Sequence, residues 1–115
     1  MEILAFKLKN IPFIDSKINS QLNQFLKKLP NGINIKMVQL VDHTKTLNIG
    51  KLHNIIVLMG EDKNHINITT MYLKSIFVVE RIVNRRFIKK LSVDAKEKKQ
   101  FKKYGLNNEE KKHLN

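Results

Sequence analysis

The chain has 115 residues, 42% of them hydrophobic, with 22 Lys and Arg against 10 Asp and Glu, a formal net charge of +12 and no cysteine. A chain of this length supports one domain with one core rather than two, burying roughly 60–70% of the surface that its unfolded form exposes. The lack of cysteine excludes disulfides, thiolate metal sites and a cysteine nucleophile, and the longest apolar run, Ile55 to Met59, is far too short to span a bilayer core of roughly 30 Å. The charge calls for a polyanionic partner, nucleic acid ahead of an anionic membrane surface.

From Glu2 to Lys9, Leu4, Phe6 and Leu8 alternate with Ala5, Lys7 and Lys9, the period of a strand with one face on a core. This opening, with acidic Glu2, lacks the Arg- and Ser-rich, acid-poor character of a transit peptide. After Pro12, Ile14, Ile18, Leu22, Phe25, Leu26 and Leu29 recur at spacings of three and four, predicting a helix capped by Asp15 or Ser16 and ended by Pro30-Asn31-Gly32. The period returns to two at Ile33, Ile35 and Met37, and this second strand continues to Val41. A polar segment, Asp42 to Asn48, precedes a third strand from Leu52 to Gly60, whose unbroken Ile55-Ile56-Val57-Leu58 predicts a central position. A second helix is expected over Ile66 to Ile76 despite the β-branched Ile68, Thr69 and Thr70, and a fourth strand over Phe77 to Arg85.

The order strand, helix, strand, strand, helix, strand predicts an α+β ferredoxin-like βαββαβ fold: a four-stranded antiparallel sheet with two helices on one face and a basic C-terminal extension. The domain is expected to span residues 1–86 and the extension residues 87–115. The other face of the sheet is then open, and function is expected there.

The charge is concentrated near the C-terminus. From Arg85 to Asn115 there are 11 Lys and Arg and 4 Asp and Glu, a net +7. The closely spaced cations Arg85, Arg86, Lys89, Lys90, Lys98, Lys99, Lys102 and Lys103 are candidates for following a phosphate backbone, set against a solvated charge tail as the plainer reading. Phe87, Leu91, Phe101, Tyr104 and Leu106 are sparse apolar anchors among them, and Asp94 to Tyr104 is read as a helix ended by Gly105. In the domain itself, Lys45 and Lys51 are favoured over Lys7, Lys9 and Lys36 because they flank the turn into the third strand. Arg81 is added because a charge within a strand must reach water, an anion or an intramolecular ion pair.

Three pieces of sequence, set in this element order, carry a family resemblance: Lys51-Leu52-His53, Val57-Leu58-Met59, and the last strand VVERIVNRR from Val78 to Arg86. Over Glu2 to Arg86 the chain resembles bacterial-type small ribosomal subunit protein six, with Arg81 and Arg85 or Arg86 in the places of the family's internal and closing arginines. The family's Gly-Arg-Arg before the third strand is not kept. An ungapped reading puts Val41-Asp42-His43 there, a two-residue deletion His43-Thr44-Lys45, and the following Tyr-Pro pair is also missing. The divergence points to a mitochondrial version, with a plastid or a bacterial cytoplasm as alternatives. The resemblance implies a structural role: binding small-subunit rRNA and pairing with the counterpart of small-subunit protein eighteen, among other small-subunit proteins, without catalysis, cofactor, membrane or small-molecule substrate. Deleting Phe87 to Asn115 is then expected to weaken rRNA association, flatten its salt dependence and leave the domain folded.

Two other readings use the same fold. A free RNA-recognition-motif protein needs aromatic residues on its sheet face, and His53 to Met59 contains none. A small ferredoxin-like enzyme needs a polar constellation. His43, His53, His65 and His113 have no metal-ligand spacing, adjacent Glu61 and Asp62 read as loop solvation, and Ser16, Ser75 and Ser92 lack a nucleophile setting.

Overall fold

The computed structural model of the chain describes residues 1–11, 13–43, 50–94 and 101–114. The elements are β1 (Glu2–Leu8), α1 (Ser16–Lys27), β2 (Asn34–His43), β3 (Gly50–Gly60), α2 (Lys63–Ile76), β4 (Val79–Ile82), α3 (Arg85–Asp94), β5 (Lys102–Gly105) and α4 (Asn108–Lys111). The first six are the expected βαββαβ series. Strands β4, β1, β3 and β2 lie side by side, each antiparallel to its neighbour, in the ferredoxin-like arrangement, and β5 adds a fifth strand parallel to β2.

Local chemistry accounts for the two longer helices. The Asp15 carboxylate accepts from the Ile18 N–H at 2.8 Å, and Asp62 accepts from Asn64 and His65 at 2.8 and 3.3 Å, satisfying N–H groups that have no partner within the helix. Asp62 starts α2 three residues before the apolar pattern announces it. Gly32, at φ +87°, turns the chain from α1 into β2, a backbone conformation costly for a residue with a Cβ. Gly60 answers a different need: a Cβ there would lie 2.6 Å from Ile33 Cδ1, so its missing side chain lets β3 pass the start of β2. Phe25 of α1 stacks on Tyr72 of α2 at 5.8 Å, with the Lys28 ammonium 5.0 Å from the Tyr72 ring.

The central strand reads as expected: Ile55, Ile56, Val57 and Leu58 are fully buried between β1 and β2. Because side chains alternate across a strand, they feed two cores. Ile56 and Leu58 join Phe6, Leu22, Phe25, Met37 and Leu73 beneath α1 and α2. Ile55 and Val57 join Ala5, Val38, Leu40, Phe87, Ile88 and Leu91 beneath α3. The single core expected from chain length is thus divided by the sheet.

Three expectations are corrected on the second face. The face is not open, because α3 lies across it with Phe87, Ile88 and Leu91 buried. The last strand does not run to Arg85: it ends at Ile82, and Asn84, accepting from the Phe87 N–H at 2.9 Å, caps a helix that takes in both arginines. Nor are Lys102 to Tyr104 helical, while residues 95–100 of the helix expected there lie outside the described residues. Lys102 to Tyr104 pair with Val38 to Leu40, and the Leu106 N–H reaches the Val41 carbonyl at 3.0 Å, using the edge groups that β2 would otherwise leave unpaired.

The described residues after 86 therefore cover the second face of the sheet and extend its β2 edge. Leu114 is buried in the α3 core, and α4 is fixed by a capping box between Asn107 and Glu110. Glu110, almost buried, also binds Lys90 at 2.8 Å.

Candidate nucleic-acid interface

The predicted cations fall into three groups. Arg85, Arg86, Lys89 and Lys90 are exposed on α3, whose opposite side is packed on the sheet. Lys90 is held by Glu110, so Arg85, Arg86 and Lys89 form the outward basic surface. Lys51, at the start of β3, and Arg81, on β4, are exposed and make no ion pair among the described residues. Lys103 is exposed on β5; of Lys102 only the backbone pairing with Val38 is described. Lys45, Lys98 and Lys99 lie outside the described residues.

The start of α3 carries two adjacent cations. Arg85 and Arg86 occupy a first turn without an acidic residue, where the helix dipole already contributes positive potential. Each cation in such a place costs a helix about 0.3–1 kcal/mol. Burial of Phe87, Ile88 and Leu91, each worth about 1.5–3 kcal/mol, offsets this. The outcome is a concentrated positive surface on a fixed helix.

Two lysines set aside at the level of sequence serve the fold. Lys36 donates to the Ser92 carbonyl at the end of α3, and Lys7 donates to the Leu114 carbonyl at 2.7 Å. Each ties β-sheet to C-terminal segment through a backbone oxygen. Asp42 pairs with Lys111 at 2.7 Å and adds a third tie.

Sequence reasoning missed a cleft beside the ends of β1 and β3. About 730 Å³ in volume, it is bordered by Lys7, Lys9, Phe13, Lys51, Leu52 and His53. A second cleft of about 460 Å³ shares Phe13 and Leu52 with it and continues to Phe101 and Lys103. Phe13, 64% exposed, stands between them. Its signal is present in the sequence, since Phe13 falls out of the spacing that leads from Ile14 to Ile18 and Leu22.

The loop carrying Phe13 is fastened from below. Asn54, fully buried, donates to the Ile11 carbonyl at 2.6 Å and accepts from the Gln39 amide at 2.8 Å. On the opposite side of β3, burial together with the charges of Lys7 and Lys51 holds the His53 pKa below its ordinary 6.5, against a weaker upward pull from Asp42. A neutral imidazole is therefore favoured among the cations near pH 7. Among the described residues no three His, Asp or Glu side chains converge as a metal site, and no helix is long and apolar enough to cross a membrane. Comparison of the chain with protein-family models, with curated proteins and with solved structures finds no match.

Proposed function

We propose that this protein is a structural, RNA-binding constituent of the small subunit of an organellar ribosome, mitochondrial in the first instance. The observation that carries its RNA binding is the outward surface of α3, where Arg85, Arg86 and Lys89 are held on a helix packed against the sheet. An anchored helix presents these charges without the ordering cost of a free tail, and each phosphate neutralised releases condensed counterions. The net +12 of the chain supports the same partner. The assembly itself, pairing with the counterpart of protein eighteen and the location rest on the sequence resemblance, and that pairing has to use a surface other than the sheet face beneath α3. A free RNA-recognition-motif protein is less well supported, since it requires an open sheet face on which bases stack.

Fractionating ribosomal subunits from the source and locating this chain by mass spectrometry tests the assembly: co-sedimentation with the small subunit is expected, and a ribosome-free pool alone would refute it. The triple variant Arg85→Gln, Arg86→Gln, Lys89→Gln tests the surface. The plot of log affinity for duplex RNA against log salt should become less steep by about 2–3, roughly one unit for each phosphate no longer neutralised. An unchanged slope would remove α3 from the interface.

A further inference from the structure

We propose that the paired clefts about Phe13 form a binding site for single-stranded RNA, in which an unpaired base stacks on the Phe13 ring and the flanking phosphates meet Lys9 and Lys51. The inference rests on the RNA-binding reading above but concerns a different surface and a different form of the ligand. Three observations carry it.

The first is the ring itself. A phenylalanine 64% exposed on a loop gives up apolar burial, and here it forms the wall between two clefts rather than capping a core. A flat apolar ring on such a wall suits a base, because every base has a π-face. A base inside a duplex has both faces occupied, so only an unpaired one can use it.

The second is charge. Lys7 and Lys9 approach one carboxylate, Glu80, at 3.8 and 3.7 Å, so two ammonium groups share a single negative charge. Lys51, on the same cleft, has no ion pair among the described residues, and Lys103 lines the continuation beyond Phe13. Cations thus occur on both sides of the ring, as a strand passing over it would need. The third is rigidity: the bonds from Asn54 to Ile11 and Gln39 fasten the loop two residues before Phe13 to the centre of the sheet. A stacking platform held in place loses little conformational freedom on binding.

Leu52 is shared by both clefts, giving them a common apolar floor. The site therefore has the elements of sequence-tolerant single-strand recognition: a basic track, an aromatic ring and an apolar base. An acidic peptide would satisfy the lysines but make no particular use of the ring.

Fluorescence anisotropy of the full chain with a labelled decauridylate, and separately with a blunt 12-base-pair RNA duplex, tests the proposal. Phe13→Ala should weaken decauridylate binding about 5- to 150-fold, the range for loss of one stacked base, and leave duplex binding unchanged. Phe13→Tyr should restore the affinity. Lys9→Gln with Lys51→Gln should reduce the salt slope for decauridylate. A melting curve for each variant separates these effects from unfolding, to which an exposed ring contributes little. Wild-type decauridylate affinity in Phe13→Ala would overturn the proposal, as would a Phe13-dependent preference for a polyglutamate peptide, which would assign the clefts to a protein. Loss of co-sedimentation with preserved, Phe13-dependent binding would refute the ribosomal reading alone.

Discussion

On one face of the sheet, α1 and α2 bring apolar residues spaced three and four apart onto Phe6, Met37, Ile56 and Leu58. On the other, a ten-residue helix and the chain end cover Ala5, Val38, Ile55 and Val57, and at their margin Lys7 and Lys36 terminate on backbone carbonyls. The first face is built from regular amphipathic segments and closes early in the chain. The second is closed by the C-terminal segment, the most basic part of the sequence. Charge and core are therefore interleaved there: in α3 Arg85, Arg86 and Lys89 are exposed while Phe87, Ile88 and Leu91 are buried. High positive charge in a C-terminal region does not by itself mark a tail.

The largest effect expected from this comparison follows removal of residues 87–115. That deletion would expose Val38, Leu40, Ile55 and Val57 to water and free the outer edge of β2, creating an apolar patch beside an unpaired strand. The truncated chain should lose its cooperative thermal transition or aggregate, in contrast to the folded domain expected from sequence. Leu91→Ala grades the same effect, with a loss of about 2–5 kcal/mol in urea unfolding. A monomeric fragment 1–86 with a sharp melt would show that the second face is dispensable.

The legibility of the two faces differs for the same physical reason. Segments such as Ile14 to Leu29 keep one period over several turns, and the six-element ferredoxin-like order follows from them. In α3 the pattern is only ten residues long and is broken by two pairs of cations, so Arg85-Arg86 reads as the close of a strand. Strand β5 carries no periodic signal at all: its four residues are extended because the edge of β2 offers them partners, a tertiary cause absent from local sequence. Among the candidate cations, Lys51 is read from the turn before the third strand and Arg81 from its place within a strand, and both are exposed, whereas the clefts at Phe13 depend on the meeting of β1, β3 and the loop between β1 and α1.

A smaller effect tests the polar insertion in the α1–α2 face. Asn54→Ala removes an acceptor from the buried Gln39 amide and a donor from the Ile11 carbonyl, and should cost about 1–3 kcal/mol in urea unfolding. Replacing both Gln39 and Asn54 by Leu removes the Gln39 donor together with its acceptor and should recover the part of that loss due to the stranded Gln39 amide, the Ile11 carbonyl still lacking its donor. Equal destabilisation by the single and double variants would mean that the Ile11 carbonyl, which loses its Asn54 donor in both, sets the cost rather than the stranded Gln39 amide.

The finest distinction between the faces is their response to pH, through His53. Burial and the neighbouring Lys7 and Lys51 favour its neutral form in the folded protein, so its folded pKa lies below 6.5 while the unfolded chain retains the ordinary value. Below 6.5 the unfolded state binds a proton that the folded state resists, and stability must fall as the pH falls. The contribution is complete above 6.5 and is lost progressively between that value and the lower folded pKa. In urea unfolding at pH 7.5 and 5.5, the wild type should therefore lose more stability on acidification than His53→Gln, whose side chain does not titrate. An anion in the adjacent cleft would offset the lysine charges, so decauridylate should raise the His53 pKa, read from the imidazole proton shifts. Equal acid sensitivity of wild type and His53→Gln would mean that burial and the neighbouring lysines do not hold the His53 pKa down in the folded protein.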